Sequence, residues 1–346
     1  MGKKGGDKKK AAAGEGAEGE DPQVLLRNYQ VFCKSIGVKV DPEVVAQITG
    51  ANIEGDGGGP PTALALNADL GPGGVRALVA ALLGKAQGMG GPYKLVTALR
   101  FWRCNAKCDG AAACAELLKH GGDDIKIAFL EFLDNKVGPR GCKALGDALS
   151  FGNNVSLSTL RLDHNDTIGD DGVGALCAGL RSNNTLKKLS LQYCRLGPDS
   201  GMPLRTVLAY SGCALESLEL RGNRLGHKGL KMLAGVFKRN TVLQKLDLAD
   251  NDVGPDEDAL KTFAASVAAN CGALTYIDFE SNNIGAGGAQ VLIDNGLAVK
   301  DNKKITAFLL DSTLDPKLFK QLVRGGGGGK KKKGKKGKKG KKKKKK

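Results

Sequence analysis

The 346 residues are 41% apolar and 26% charged, enough to build one large core or two ordinary ones. The formal net charge of +17 would mark a nucleic-acid or membrane-surface protein if it were spread over the chain, but the last 22 residues, GGGGGKKKKGKKGKKGKKKKKK, hold fourteen lysines, and residues 1–324 carry only +3. Nine cysteines, an odd number, argue against a disulfide framework, the start MGKKGGDKKK has no apolar leader, and no apolar run reaches about 18 residues; together these predict a reduced, cytoplasmic setting without a transmembrane helix.

Residues 1–20 are almost wholly Gly, Ala, Lys and Glu and cannot bury enough surface to offset ordering, so a disordered arm is predicted. A helical N-terminal cap and linker follow over 21–61: Asp21-Pro22 and Asp41-Pro42 each read as an N-cap with proline at the first helical position, and EGDGGGPP breaks the pattern. From 62 to 311 the chain repeats, in about nine units: LKKLSLQYCRLG (186–197), LESLELRGNRLG (215–226), LQKLDLADNDVG (243–254) and LTYIDFESNNIG (274–285) are successive copies. The central apolar positions Leu99, Leu130, Leu160, Leu189, Leu218, Leu246, Ile277 and Phe308 recur every 28 to 31 residues, and Leu64 and Leu66 begin a shortened first copy. A C-terminal cap is predicted over 312–324, and a Gly/Lys-rich disordered tail over 325–346.

Each unit has a short alternating strand, an Asn or Cys in the turn after it (Cys104, Asn135, Asn165, Cys194, Asn223, Asn251 and Asn282), and a stretch with apolar residues three and four apart, such as Leu230, Leu233 and Phe237 in GHKGLKMLAGVFKRN. A single unit cannot hide its apolar face, so the units must stack. Strands stack about 4.8 Å apart and helices about 10 Å apart, so the array curves. The L-x-x-L-x-L-x-x-(N/C)-x-L-G pattern resembles the ribonuclease-inhibitor-type leucine-rich repeat family. The resemblance implies an α/β solenoid: a horseshoe with a concave parallel β-sheet and outer helices.

Catalytic and metal constellations are sparse. His120, His164 and His227 are expected in a helix end and two turns, with no nucleophile at triad spacing. Cys104, Cys108, Cys114 and His120 are four possible zinc ligands within seventeen residues, but Cys104 fills the repeat position and Cys114 the following helix, so packing accounts for both. No Walker-type phosphate loop occurs; no cofactor, metal or enzymatic activity is expected.

The strand positions flanking the apolar ones should line the concave face. Trp102, Phe129 and Leu133 with Arg100 and Arg161 form the expected partner-binding cluster at one end, and Asp247, Asp278, Glu280 and Asp311 surround Tyr276 at the other, as a solvated acidic face. The alternative is that the N-terminal segment covers the first cluster. The polyanion-binding candidates are Lys330, Lys331, Lys332, Lys333, Lys335, Lys336, Lys338, Lys339, Lys341, Lys342, Lys343, Lys344, Lys345 and Lys346, acting as an electrostatic tether or a nuclear address.

The lead-in LLRNYQVFCKSIGV before such repeats is similar to ciliary and flagellar axoneme proteins. That resemblance implies a non-enzymatic scaffold, with an acidic polymer such as tubulin tails, or less readily nucleic acid, on the lysines. Two other relatives of the repeat type imply alternatives: a GTPase-activating protein like the Ran activator, against which the basic tail counts, and a nuclease-inhibitor-like binder.

Overall fold

The computed structural model describes residues 19–50, 60–122, 124–270 and 272–325. The predicted arm before residue 19, most of the linker and the lysine tail from 326 onward lie outside them. Among the described residues nine strands form one parallel sheet in chain order: β1 (Ala63–Leu66), β2 (Ala98–Trp102), β3 (Phe129–Leu133), β4 (Thr159–Arg161), β5 (Lys188–Ser190), β6 (Ser217–Glu219), β7 (Lys245–Asp247), β8 (Tyr276–Asp278) and β9 (Ala307–Leu309). The register follows the repeat, so Leu64, Leu99, Leu130 and their successors to Phe308 stand opposite one another, all buried. The next inward row adds Phe101 stacked on Phe132 with centroids 5.1 Å apart.

Two helices precede the sheet, α1 (Pro22–Ile36) and α2 (Pro42–Thr49). Asp21 accepts from the Gln23 N–H and Asp41 from the Glu43 and Val44 N–H groups, the caps expected from the two Asp-Pro pairs. The crossover helices are α3 (Gly71–Leu83), α4 (Lys107–His120), α5 (Pro139–Leu149), α6 (Gly169–Leu180), α7 (Gly201–Ala209), α8 (Gly226–Ala234), α9 (Glu257–Ala268) and α10 (Gly285–Leu292), and α11 (Pro316–Leu322) closes the array. Helices of 8 to 14 residues are marginal alone. Their stability comes from packing a buried face such as Leu230, Leu233 and Ala234 of α8 against the sheet and the next helix. That helix ends at Ala234, so Phe237 packs from the following turn, and His227 falls in the first helical turn where a loop was expected.

Both edges of the sheet are closed, which a parallel sheet requires to stay monodisperse. Glu43 and Gln47, one turn apart on α2, take the Asn67 and Ala65 N–H groups of the β1 edge. At the other end Arg324 exchanges two backbone hydrogen bonds with Phe308, at 2.9 and 3.2 Å. Its guanidinium reaches the Ile305 and Leu297 carbonyls. The result is a leucine-rich-repeat horseshoe whose cap sits on the first strand's edge.

Candidate functional site

The motif asparagines belong to the frame. Asn165 donates to the Phe132 and Leu162 carbonyls and accepts from the Asn135 and Val137 N–H groups, tying one unit to its predecessor; Asn223 repeats the pattern against Leu191, Leu220, Cys194 and Leu196. Cys104 and Cys194 replace the amide by donating to the Leu66 and Leu162 carbonyls. Burial pushes the Cys104 thiol up to about 12, so it stays a protonated donor. Among the described residues no group of three or more His, Cys, Asp or Glu is placed to hold a metal ion. A second ladder precedes β4, β5 and β7: Asn154, Asn183 and Asn240 donate to the Leu118, Leu149 and Leu208 carbonyls and accept from the Leu157, Leu186 and Leu243 N–H groups.

The concave face is a chain of ion pairs. Glu131 is buried, with one oxygen accepting from the Trp102 indole N–H at 2.8 Å and the other 3.1 Å from Arg161. Arg161 also pairs with buried Asp163 at 2.9 Å, whose second oxygen accepts from Ser190 at 2.6 Å. Glu219 lies between Lys188 at 2.9 Å and Lys245 at 2.6 Å. Burial alone would raise its carboxyl, but the two lysines outweigh burial and hold it at about 2. Arg221 bridges Asp247 and Asp278 at 3.5 and 2.5 Å.

This pairing corrects the expectation of a solvated acidic end. Asp247 and Asp278 are buried and spanned by Arg221, because strands so close bring each acid within reach of a cation one or two units away. Glu280 has no side-chain ion pair among the described residues, and its carboxyl is raised first by burial and then by Asp278.

The expected cluster is brought together at β2, β3 and β4. Trp102 stands opposite Leu133, Arg100 opposite Glu131, and the Arg100 guanidinium lies 4.7 Å from the centre of the Phe129 ring. Arg100, Trp102, Phe129, Leu133 and Arg161 are all half-buried. A depression of about 300 Å³ opens beside them, lined by Asn67, Trp102, Arg103, Leu133, Asp134 and His164. The N-terminal helices lie elsewhere: α1 packs on α3, and α2 on α1 and β1. Among the described residues the most exposed of the large apolar side chains are instead Phe151 and Val155, 66% and 72% exposed, in the turn between α5 and β4.

On the rim, His164 and Tyr193 stack with centroids 4.7 Å apart. Tyr193 presses against Gly222, where an added Cβ would lie 2.1 Å from the ring and φ is +71°. Only glycine satisfies both conditions.

A family model described as Leucine Rich repeat matches residues 153–177, 182–204, 213–234, 239–256 and 273–292. Pig ribonuclease inhibitor is 32% identical over 160 residues, which cover 37% of this chain and 34% of that protein. The chain is built of leucine-rich repeats, and these are similar to the repeats of ribonuclease inhibitors. The leucine-rich-repeat chain is also 41% identical over 107 residues to human NACHT, LRR and PYD domains-containing protein 13, covering 31% of this chain and 10% of that one. It therefore spans between a tenth and about a third of these curated relatives. The crystal structure of the yeast Rad7 and Elc1 complex aligns with a TM-score of 0.30 at 15% identity, covering 88% of this chain and 93% of that one. No helix among the described residues is long and apolar enough to cross a membrane.

Proposed function

We propose that this chain is a non-enzymatic scaffold that clasps a protein partner on its concave face, with Trp102, Phe129 and Leu133 as anchors and Arg100 beside them. The supporting observation is the contrast along that face. Its charges are largely neutralised pair by pair, whereas the Trp102 and Leu133 side chains border an open depression. The motif asparagines support the same reading, since their side chains are spent on the backbone. In this proposal the lysine tail, Lys330 to Lys346, tethers the scaffold to an acidic polymer such as the glutamate-rich tails of tubulin in an axoneme, raising the local concentration of the horseshoe.

Replacing both Trp102 and Leu133 by alanine removes partner capture while the repeat array stays folded; retention of the partner by the double variant contradicts the anchor assignment. The tail is tested separately with microtubules. Its binding falls steeply between low and moderate salt and disappears on deletion of 326–346, whereas salt-independent binding by the deleted chain contradicts the tether.

The similarity to pig ribonuclease inhibitor favours one second reading, a nuclease-inhibitor-like binder. Inhibition of a basic ribonuclease by the purified chain decides for it, and unchanged nuclease activity at excess chain decides against it.

A further inference from the structure

We propose that Arg100 and the depression beside Trp102 and Leu133 seat an extended protein segment that presents a carboxylate two residues from an apolar or aromatic side chain. This rests on the concave-face reading above and gives its partner a chemistry.

The cations of the concave strands are matched to acids with one exception. Arg161 takes Glu131 and Asp163, Lys188 and Lys245 take Glu219, and Arg221 takes Asp247 and Asp278. Arg100 faces Glu131 in the register, but both oxygens of Glu131 are engaged by Trp102 and Arg161. Among the described residues Arg100 has no acidic partner, and its Nε is buried without a hydrogen-bond acceptor. The Phe129 ring attracts the face of the guanidinium and leaves its in-plane donors unused. The two Nη groups at the tip of this half-buried side chain are not closed off in that way, and they are the donors a carboxylate takes in the bidentate geometry that arginine prefers.

The surroundings fit an extended chain. On the β1 side Arg100 is flanked by Ala65, with Ala63 opposite Ala98, so no long side chain of β1 stands beside it. Trp102 lies two residues further along the strand, about 7 Å away, which is the spacing of i and i+2 side chains on one face of an extended segment. Its indole N–H is already given to Glu131, so it offers its ring to an apolar side chain. A nucleic acid fits less well. Arg103 is paired with Asp134 at 3.3 Å, so the site has one unmatched positive charge, whereas each nucleotide step brings another phosphate toward exposed Asp134.

Trp102 is the sole tryptophan of the chain, so its fluorescence reports occupancy directly. The full-length protein is titrated with the blocked peptide Gly-Glu-Ser-Phe-Gly and with its Gly-Gln-Ser-Phe-Gly counterpart at physiological salt. The Glu peptide is expected to give a saturable change and the Gln peptide roughly tenfold weaker binding, the loss of a charge-assisted pair. Arg100→Met brings the Glu peptide down to the Gln level, and Arg100→Lys, which keeps the charge without the fork, falls between; circular dichroism verifies that both are folded. Equal affinity of the two peptides, or indifference to both Arg100 variants, overturns the carboxylate seat while leaving the apolar anchors standing. No response to either peptide overturns both, and saturable binding of oligothymidylate in their place overturns the choice of a protein segment.

Discussion

Trp102 and Glu131 are joined across two strands by an indole N–H donated to a buried carboxylate at 2.8 Å. The bond fixes the ring at the edge of the depression, and the same carboxylate draws Arg161 in, so one buried acid orients two of the five predicted site residues. Glu131→Gln keeps an acceptor for the indole and removes the charge that Arg161 needs. It is expected to cost about 1–3 kcal/mol in urea unfolding with little change in Trp102 emission. Glu131→Ala adds a shift in that emission, because the ring is released.

The asparagine ladder predicts a different scale. Asn165→Ala leaves two carbonyls and two N–H groups without partners in the buried turn between β4 and α6. A loss of roughly 3–5 kcal/mol is expected from denaturant titration, against about 0.5 kcal/mol or less for Asn184→Ala, an exposed asparagine next to Asn183 that takes no part in either ladder.

Glu219 and Glu280 should shift stability with pH in opposite senses. Glu219 is held at about 2, below its unfolded value, so its contribution is present above the ordinary carboxylate range and is lost as pH falls from there towards 2. Glu280 is raised by burial, Asp278 and Asp311, so its ionisation opposes folding as pH rises above the ordinary carboxylate range. In thermal melts Glu219→Gln is expected to lower stability at neutral pH and flatten the acid limb. Glu280→Gln raises the neutral-pH melting temperature slightly.

Gly222 and Tyr193 give a coupled pair. Gly222→Ala is expected to cost about 1–3 kcal/mol, from a left-handed backbone and a clash with the Tyr193 ring. Adding Tyr193→Ala relieves only the clash, so a double-mutant cycle should recover part of the loss and leave the backbone share.

The strands were legible because Leu99, Leu130, Leu160 and their successors recur at a nearly fixed interval, and a solenoid turns that interval directly into register. The caps were legible because Asp-Pro is a local signal. The state of the concave charges was not. Glu131, Glu219 and Asp247 sit at outward positions that alternation assigns to solvent, and their burial comes from cations about thirty residues away in sequence. The ladder of Asn154, Asn183 and Asn240 is present in the sequence as N-x-x-L before β4, β5 and β7, but a unit counted from its first leucine leaves it outside. The exposure of Phe151 and Val155 depends on a turn that no periodicity describes.

Recognition is proposed to take place at Trp102 and Leu133. It is tested most directly by quantifying the protein that co-purifies with the chain lacking residues 326–346, for three forms: the parent, Trp102→Ala with Leu133→Ala, and Phe151→Ser with Val155→Ser. The same partner is expected, in equal yield, from the parent and the Phe151/Val155 form, and its loss from the Trp102/Leu133 form. Retention by the Trp102/Leu133 form together with loss from the Phe151/Val155 form would contradict it and move the binding surface to the opposite edge of the repeats.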